Sequence, residues 1–382
     1  MNIIVIGAFP LDATLIQGGV EASVYGICLE LAKAHNVIAM DFPRQNVVDQ
    51  MEIIDGIKVF RFKNYGRHQV DSIHRIDNIL EKIKAQQPAV CHIHGTSIFC
   101  HHILRELINN QIHTVLTVHG LIIEEKRKAL KSRFSFKLFF QFIRQSCHER
   151  AILKHAPFII VDTQYVFDAI HPYRSEADLQ TVVIPQGIDT HYYSLSCNPD
   201  SKEILSVGSF TQRKGHINLV KAFSKVLQTH PDAHLTICGS IGEMNYYEEL
   251  KKLIACLGLE DQVSINVDLK SSELDMQYQK AHIFVLHSQE ESQGIALVEA
   301  MATGLPVVAT RVGGIPYIVT DNQCGLLSNY GDIDAFADHM TYLLSSNLEW
   351  ERLSRNGLRN SRSYSWSSVS QSVESFYYRS FR

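Results

Sequence analysis

The sequence predicts an α/β protein made of two Rossmann-like domains. Strand-like apolar runs alternate with helical patterns almost from end to end, which specifies parallel sheets covered by helices on both faces. The alternation lapses once, across HYYSLSCNPDSK at residues 191–202, and then restarts. A chain of 382 residues is also too long for one core and sufficient for two.

Taken in order, the first half supplies NIIVIGAF as its opening strand, a helix from Glu21 to Ala34, and the strand NVIAMDF. AVCHIHG, HTVLTVHG and FIIVDT follow, and TVVIPQGID closes the half. The second half begins with KEILSVGSF and continues through HLTICGS, QVSINV, HIFVLHS and LPVVAT. From about Trp350 the chain is helical and polar, with aromatics at Tyr364, Trp366, Phe376, Tyr377 and Tyr378 and no further strand. The expected division is a first domain over 1–187, a linker over 188–202, a second domain over 203–355, and a helix over 356–382 that crosses back to the first domain. A cleft between two such domains is the expected binding site.

Composition excludes several classes. At 45% hydrophobic and 20% charged the chain reads as soluble and globular, and a net charge of -4 argues against general nucleic-acid binding. Its eight cysteines are scattered without a CxxC pair, so no zinc site or disulfide framework is indicated, and reduced thiols fit a cytoplasmic location. MNIIVIGAFPLDA lacks a basic leader and reads as a first strand, not a signal peptide. No run approaches the ~20 apolar residues of a membrane span.

Chemistry concentrates in EESQGIALVEAMATGLPVVAT, residues 290–310. Gln293 and Gly294 end a loop, Ile295 to Ala302 read as a helix, and VVAT reads as a buried parallel strand. The helix start offers free N–H groups and a partial positive charge suited to phosphate. Two carboxylates, Glu291 and Glu299, flank it; complementing the helix dipole and simple solvation are the alternative readings. In SVGSFTQRKGH, residues 206–216, a strand ends at Gly208 and delivers Arg213 and Lys214 just before a helix. Cations there can meet phosphate oxygens, or can be solvated at a turn.

Together these motifs resemble the retaining GT-B glycosyltransferases, specifically glycosyltransferase family 4 (group 1). Glu291 and Glu299 match its E-x7-E motif and Lys214 the lysine of its KG turn. EAMATGLPVVATRVGGIP is similar to its helix, strand and glycine-rich turn, VIPQGID to its hinge motif, and GGVEASVYGICLELAKAHNV to its N-terminal Gly-Gly loop and helix. The resemblance spans roughly residues 1 to 345.

It implies a nucleotide-diphosphate-sugar donor held mostly by the second domain. Glu299 would accept the ribose hydroxyls, Lys214 would neutralise the diphosphate with the N–H groups of Ile295 and Ala296, and Glu291 with the backbone at Gln293 and Gly294 would hold the sugar hydroxyls. Gly18 and Gly19 match the loop that lets backbone approach the diphosphate. His119 matches a histidine beside the donor sugar, the alternative being a packed strand-end residue, and His94 could line the acceptor side. Glu291, His119 and Lys214 form the expected catalytic set. Two positions depart from the pattern. Ser209 stands where the family commonly has arginine, with Arg213 as a substitute, and Tyr317 stands where it has glutamate.

The implied reaction is transfer with retention to a glycan or lipid-linked acceptor in surface polysaccharide or glycolipid synthesis. Lysine and helix dipole would stabilise the leaving diphosphate without a metal or cofactor. A UDP-sugar is favoured over GDP-mannose on family frequency alone, because base recognition leans on backbone around residues 264–269. Asp332-Ile333-Asp334 mimics a metal-binding DxD but opens a helical pattern and reads as an N-cap. Histidines 92, 94, 101 and 102 suggest a metal cluster, yet 92 and 94 alternate with Ile93 on a strand.

Other classes stay open: a nicotinamide oxidoreductase, although GAFPLDATLIQGG lacks GxGxxG, and a silent regulatory or scaffolding GT-B subunit, given Ser209 and Tyr317. One segment stands outside the donor chemistry. Residues 126–154 hold nine Lys or Arg against a single acid, Glu149. In a helix, Arg133, Lys137, Gln141 and Arg144 form one stripe and Phe134, Leu138, Phe139, Phe142 and Ile143 the opposite side. Weak peripheral contact with the inner face of an anionic membrane is one reading. Packing of the apolar side on the first domain, with solvated cations, is the other.

Overall fold

The apolar run that opens the chain becomes β1 (Asn2–Gly7), whose residues 3–7 are all buried, as a central parallel strand covered on both faces requires. The computed structural model describes residues 1–12, 18–42, 49–62, 76–121, 123, 136–174, 180–198 and 201–381. The chain forms two units, one of residues 1–185 with 366–382 and the other of residues 186–365.

In unit 1, β1 leads through α1 (Gly19–Ala32) to β2 (Asn36–Asp41), β3 (Gln50–Ile54) and β4 (Ile57–Arg61). There follow α2 (Ile76–Ala85), β5 (Val90–His94), α3 (Ile98–Asn109), β6 (Thr114–Val118) and α4 (Phe136–His155), then β7 (Phe158–Val161), α5 (Gln164–Ile170) and β8 (Gln180–Val183). The sheet order is β3-β4-β2-β1-β5-β6-β7-β8, parallel except for the antiparallel β3–β4 pair. β5 and β6 are buried along their whole length, which carries the ends of both strands, His94 and the residue after Val118, into a fixed position.

A charged group lies inside this apolar frame. Arg61 is 1% exposed and donates to Asp41 Oδ2 at 2.7 Å, to the Phe9 carbonyl at 3.1 Å and to the Pro10 carbonyl at 2.6 Å, while its Nε pairs with Glu52. Asp41 Oδ1 accepts from the Phe9 amide at 3.0 Å. One buried ion pair therefore satisfies the backbone that leaves β1.

Unit 2 runs β9 (Glu203–Val207), α6 (His216–Val226), β10 (His234–Gly239), α7 (Met244–Cys256), β11 (Val263–Val267), α8 (Ser271–Lys280) and β12 (Ile283–Leu286). It continues with α9 (Ile295–Ala302), β13 (Val307–Thr310), α10 (Ile315–Ile318), β14 (Leu326–Ser328), α11 (Ile333–Ser345) and α12 (Asn347–Ser361). All neighbours in its order, β11-β10-β9-β12-β13-β14, are parallel. Asp332 caps α11, accepting from the Ala335 amide at 3.0 Å, and Asp334 pairs with Lys225, so both carboxylates of the DxD triplet have structural partners.

The unit boundaries differ from the expected ones in two places. Residues 188–198 are part of unit 2, where Tyr192, Tyr193 and Leu195 of a 3-10 turn, Thr190–Ser194, pack on the core. Polar letters there hide three apolar bodies, which is why the stretch reads as a linker. The tail also divides later than residue 356: α12 packs against α9 inside unit 2, and α13 (Trp366–Ser380) alone belongs to unit 1. There α13 buries Val369, Val373, Phe376 and Tyr377 against α1 and the sheet. Gly26 of α1 makes this possible, because a Cβ at that position would lie 2.2 Å from the Trp366 ring.

The basic segment is only partly described: 126–135, with Arg133 and Phe134, and the side chains of Lys137 and Leu138 lie outside the described residues. Among the described residues, no helix is long and apolar enough to cross a membrane.

Candidate functional site

The loop before α9 is built by close backbone approach. Gly294 caps the helix at φ 85°, in the left-handed region, so the chain turns sharply and α9 starts at Ile295. By helix geometry the amides of Ile295 and Ala296 have no acceptor within the helix. The Glu291 carbonyl accepts from the Gly314 amide at 2.8 Å, and a Cβ on Gly313 would sit 2.0 Å from that oxygen. Hence the glycines of the VGGIP turn are needed for this loop to seat. Gln293 spends its side chain on structure, accepting from the Gln186 amide at 2.8 Å and donating to the Gln186 carbonyl at 3.0 Å.

The cationic turn meets this loop. Lys214 lies along Gly208 and donates from Nζ to Glu291 Oε1 at 2.5 Å, and Ser288 donates to the same oxygen at 2.7 Å. Arg213 stands 3.5 Å from Glu291 Oε2 and donates to the Glu290 carbonyl at 3.0 Å. Burial opposes ionisation of Glu291, but the charges of Lys214 and Arg213 and the hydrogen bonds from Lys214 and Ser288 hold its carboxyl below the ordinary glutamate value. Ser209, half-buried at the end of β9, brings no charge. Arg213 therefore adds to the Lys214–Glu291 pair. Next to Lys214, burial and the lysine's charge push the His216 imidazole down to about 3, so it is neutral at physiological pH.

Glu299 occupies the second turn of α9. Its Oε2 accepts from the Tyr278 hydroxyl of α8 at 2.9 Å, and Tyr192 also hydrogen-bonds the carboxylate. Burial pushes this carboxyl up, against the two tyrosine bonds that favour the ionised form. His191, held by Asp189 at 3.2 Å and Asp275 at 3.1 Å, has its imidazole raised to about 9, chiefly through the hydrogen bond to Asp189. Sequence reasoning missed Tyr192, Tyr278 and His191. Nothing local marks them, since Tyr192 lies in the apparent linker and Tyr278 in a polar helix. Tyr317, which replaces the family's glutamate, is 53% exposed.

Unit 1 carries the remaining candidates. Gly18 has φ 97° at the N-cap of α1, a conformation other residues rarely adopt, and both it and Gly19 are exposed. His119 follows β6; its Nδ1 is 3.5 Å from Asp162 Oδ2 and its Nε2 is 2.9 Å from His94 Nδ1. The carboxylate favours the proton on Nδ1, which leaves Nε2 as the acceptor for His94. The His92 ring lies 4.2 Å from that of His94, tilted by 39°, and contacts the Thr117 hydroxyl at 2.6 Å and the Tyr377 hydroxyl at 2.7 Å. Burial drives His94 well below its usual value and takes His92 to about 3, so both rings are neutral. The histidines on β5 are thus a packed hydrogen-bonded row. Glu149, fully buried, accepts from the Thr96 hydroxyl at 2.6 Å and the Ile123 amide at 2.7 Å, tying both residues to α4.

Nine of the expected site residues, Ser209, Arg213, Lys214, Glu291, Gln293, Gly294, Ile295, Ala296 and Glu299, therefore belong to unit 2, and Gly18, Gly19 and His119 to unit 1.

Comparison with known proteins adds three findings. The family described as Glycosyltransferase Family 4 matches residues 17–192, and the family Glycosyl transferases group 1 matches residues 193–360. A curated relative, D-inositol 3-phosphate glycosyltransferase of Corynebacterium efficiens, is 30% identical over 251 residues, a match that covers 61% of this chain and 59% of the relative. Two solved structures share the fold. Sucrose-phosphate synthase from Thermosynechococcus elongatus has a TM-score of 0.82 at 21% identity, covering 100% of this chain and 99% of that one. The Anabaena protein Alr3699/HepE in complex with UDP-glucose has a TM-score of 0.75 at 18% identity, covering 98% of each chain.

Proposed function

Since the chain belongs to the group 1, family 4 glycosyltransferases and has their GT-B fold, we propose that it moves a sugar from a nucleotide-diphosphate sugar to a hydroxyl of a glycan or lipid-linked acceptor. The observation that carries this reading is the arrangement around α9, where a lysine–glutamate pair sits at the start of a helix and a second, tyrosine-held glutamate lies one turn further on. The helix N-terminus and Lys214 suit a diphosphate, and the two oxygens of Glu299 suit the cis-diol of a ribose.

In the proposed reaction the bond from the anomeric carbon to the diphosphate oxygen breaks. The acceptor oxygen bonds to the same face of that carbon, and the acceptor proton passes to the departing diphosphate. Lys214 and the amides of Ile295 and Ala296 stabilise the charge that develops on the leaving group, in place of a divalent metal. As the diphosphate draws Lys214, Glu291 is released from part of its ion pair and becomes an acceptor for sugar hydroxyls. Gly18 and Gly19 offer exposed backbone for the diphosphate, and His119 offers an imidazole for the donor sugar. A UDP-sugar is the favoured donor, a choice supported by the UDP-glucose in the complex of the Anabaena protein. Surface polysaccharide or glycolipid synthesis is the proposed setting.

A thermal-shift screen of UDP-, GDP- and ADP-sugars, followed by assay of donor consumption with and without a chelator, tests this reading. Stabilisation by one nucleotide class and chelator-resistant consumption are expected; stabilisation by NAD and by no nucleotide sugar would point to the oxidoreductase class instead.

A pH prediction follows from the Glu299 site. Burial raises its carboxyl, so donor affinity should rise as pH climbs through that value and the ionised form appears. Tyr278→Phe removes one bond to the carboxylate and should raise its pKa further. The pH at which nucleoside diphosphate affinity rises should then move upward, with a loss of up to about 10-fold in the window between the two values. Calorimetric titration across pH checks this. A uniform loss at every pH would mean that Tyr278 only packs against α9.

A further inference from the structure

The first turns of α4 carry a surface that donor chemistry leaves unused. Phe136 is 74% exposed, Phe139 39%, Phe140 67% and Ile143 42%, at the i, i+3, i+4, i+7 spacing of one helix face. This differs from the expected arrangement, in which Phe139 and Ile143 turn away from the cations. Continuing along the same face, at positions 147, 150 and 154, come exposed Cys147, Arg150 and Lys154, with exposed Arg144 one residue beyond Ile143. Arg150 lies over the Tyr173 ring, 5.7 Å from its centroid.

The opposite side of α4 is anchored. Ser146, Glu149, Ile152 and Leu153 are buried, and Ile152 and Leu153 join the core. Glu149, the one acid of residues 126–154, points inward to Thr96 and Ile123. The charges that α4 shows to solvent among its described side chains are consequently all positive.

We propose that this face docks on an anionic lipid bilayer, with Phe136, Phe140 and Ile143 entering the headgroup–acyl boundary and Arg144, Arg150 and Lys154 meeting lipid phosphates. Two physical points select a bilayer over a second copy of the chain. A two-fold interface on this face would set like charges against each other, since both copies present the same cations. An exposed aromatic stripe running into a cationic end also matches what a headgroup layer offers, an apolar edge beneath a negative surface. Docking of this kind is reversible and salt-sensitive, since the cations are exposed.

Co-sedimentation of the full chain with vesicles tests the proposal without donor or acceptor, so its failure leaves the glycosyltransfer reading untouched. Vesicles of phosphatidylcholine with about 30% phosphatidylglycerol should carry the protein down, and phosphatidylcholine alone should not. High salt should release it. The paired exposed substitutions Phe136→Ser and Phe140→Ser should weaken binding at least about 10-fold, and Arg144→Gln with Arg150→Gln by a similar factor. Phe140→Trp should give blue-shifted emission with the anionic vesicles only. Equal binding to both vesicle types, binding to neither, or unchanged binding by the variants would overturn the proposal. So would a dimer in solution that Phe140→Ser dissociates, which would assign the face to a second copy.

Discussion

Lys214→Ala is expected to lower sugar transfer about 100-fold, the loss of one preorganised charge contact in the transition state being worth about 3 kcal/mol. The same substitution should also destabilise unit 2, because Glu291, which is 6% exposed, loses its nearest cation and, among the described residues, keeps Ser288 and the more distant Arg213. In the intact pair the folded-state pKa of Glu291 is depressed. The stability it contributes is present above the unfolded-state value and lost as pH falls through the folded one. Without Lys214, burial should raise that pKa, so the variant's instability should appear near neutral pH and fade on acidification. A double variant, Lys214→Ala with Glu291→Gln, should recover stability and leave transfer slow. Transfer restored along with stability would mean that Lys214 serves the fold alone.

The largest expected effect on stability lies in unit 1. Arg61→Met should cost about 3–5 kcal/mol, since it leaves the Asp41 carboxylate buried without its cation and frees the carbonyls of Phe9 and Pro10. Adding Asp41→Asn should recover part of the loss, so the two substitutions together should cost less than their sum. Urea denaturation of the single and double variants measures this. Because the pair fixes the backbone leaving β1, the single variant should also lose order in that loop before the unit melts. An additive double variant would mean that the two side chains do not act as a pair.

These cases separate what is legible in the letters from what is not. The span of α9, Ile295 to Ala302, is readable because a left-handed glycine and a Thr-Gly stop bracket a run of helix formers. The N-cap at Asp332 is readable for the same reason, as a contact between residues three apart. Strand positions follow from short apolar runs between loops, and the fully buried β5, β6, β12 and β13 fall where the runs lie, whereas the three-residue β14, also fully buried, is too short to stand out as a run. By contrast, the sequence offers no reading of Arg61, because its partners Phe9, Pro10 and Asp41 are remote in sequence. Tyr278 and Glu299 are 21 residues apart on different helices, so no periodicity links them. The family resemblance supplied Lys214, Glu291 and Glu299 as candidates. It gave no sign that the first two would be paired in the absence of a donor.

Recognition of the second phosphate by Lys214 and the start of α9 is tested by calorimetric titration of the full chain with a nucleoside diphosphate and the matching monophosphate. The diphosphate should bind about 10- to 100-fold more tightly, a charge-assisted contact being worth about 1.5–3 kcal/mol, and Lys214→Ala should erase that advantage. Equal affinity for the two nucleotides, or an advantage that survives in Lys214→Ala, would contradict it.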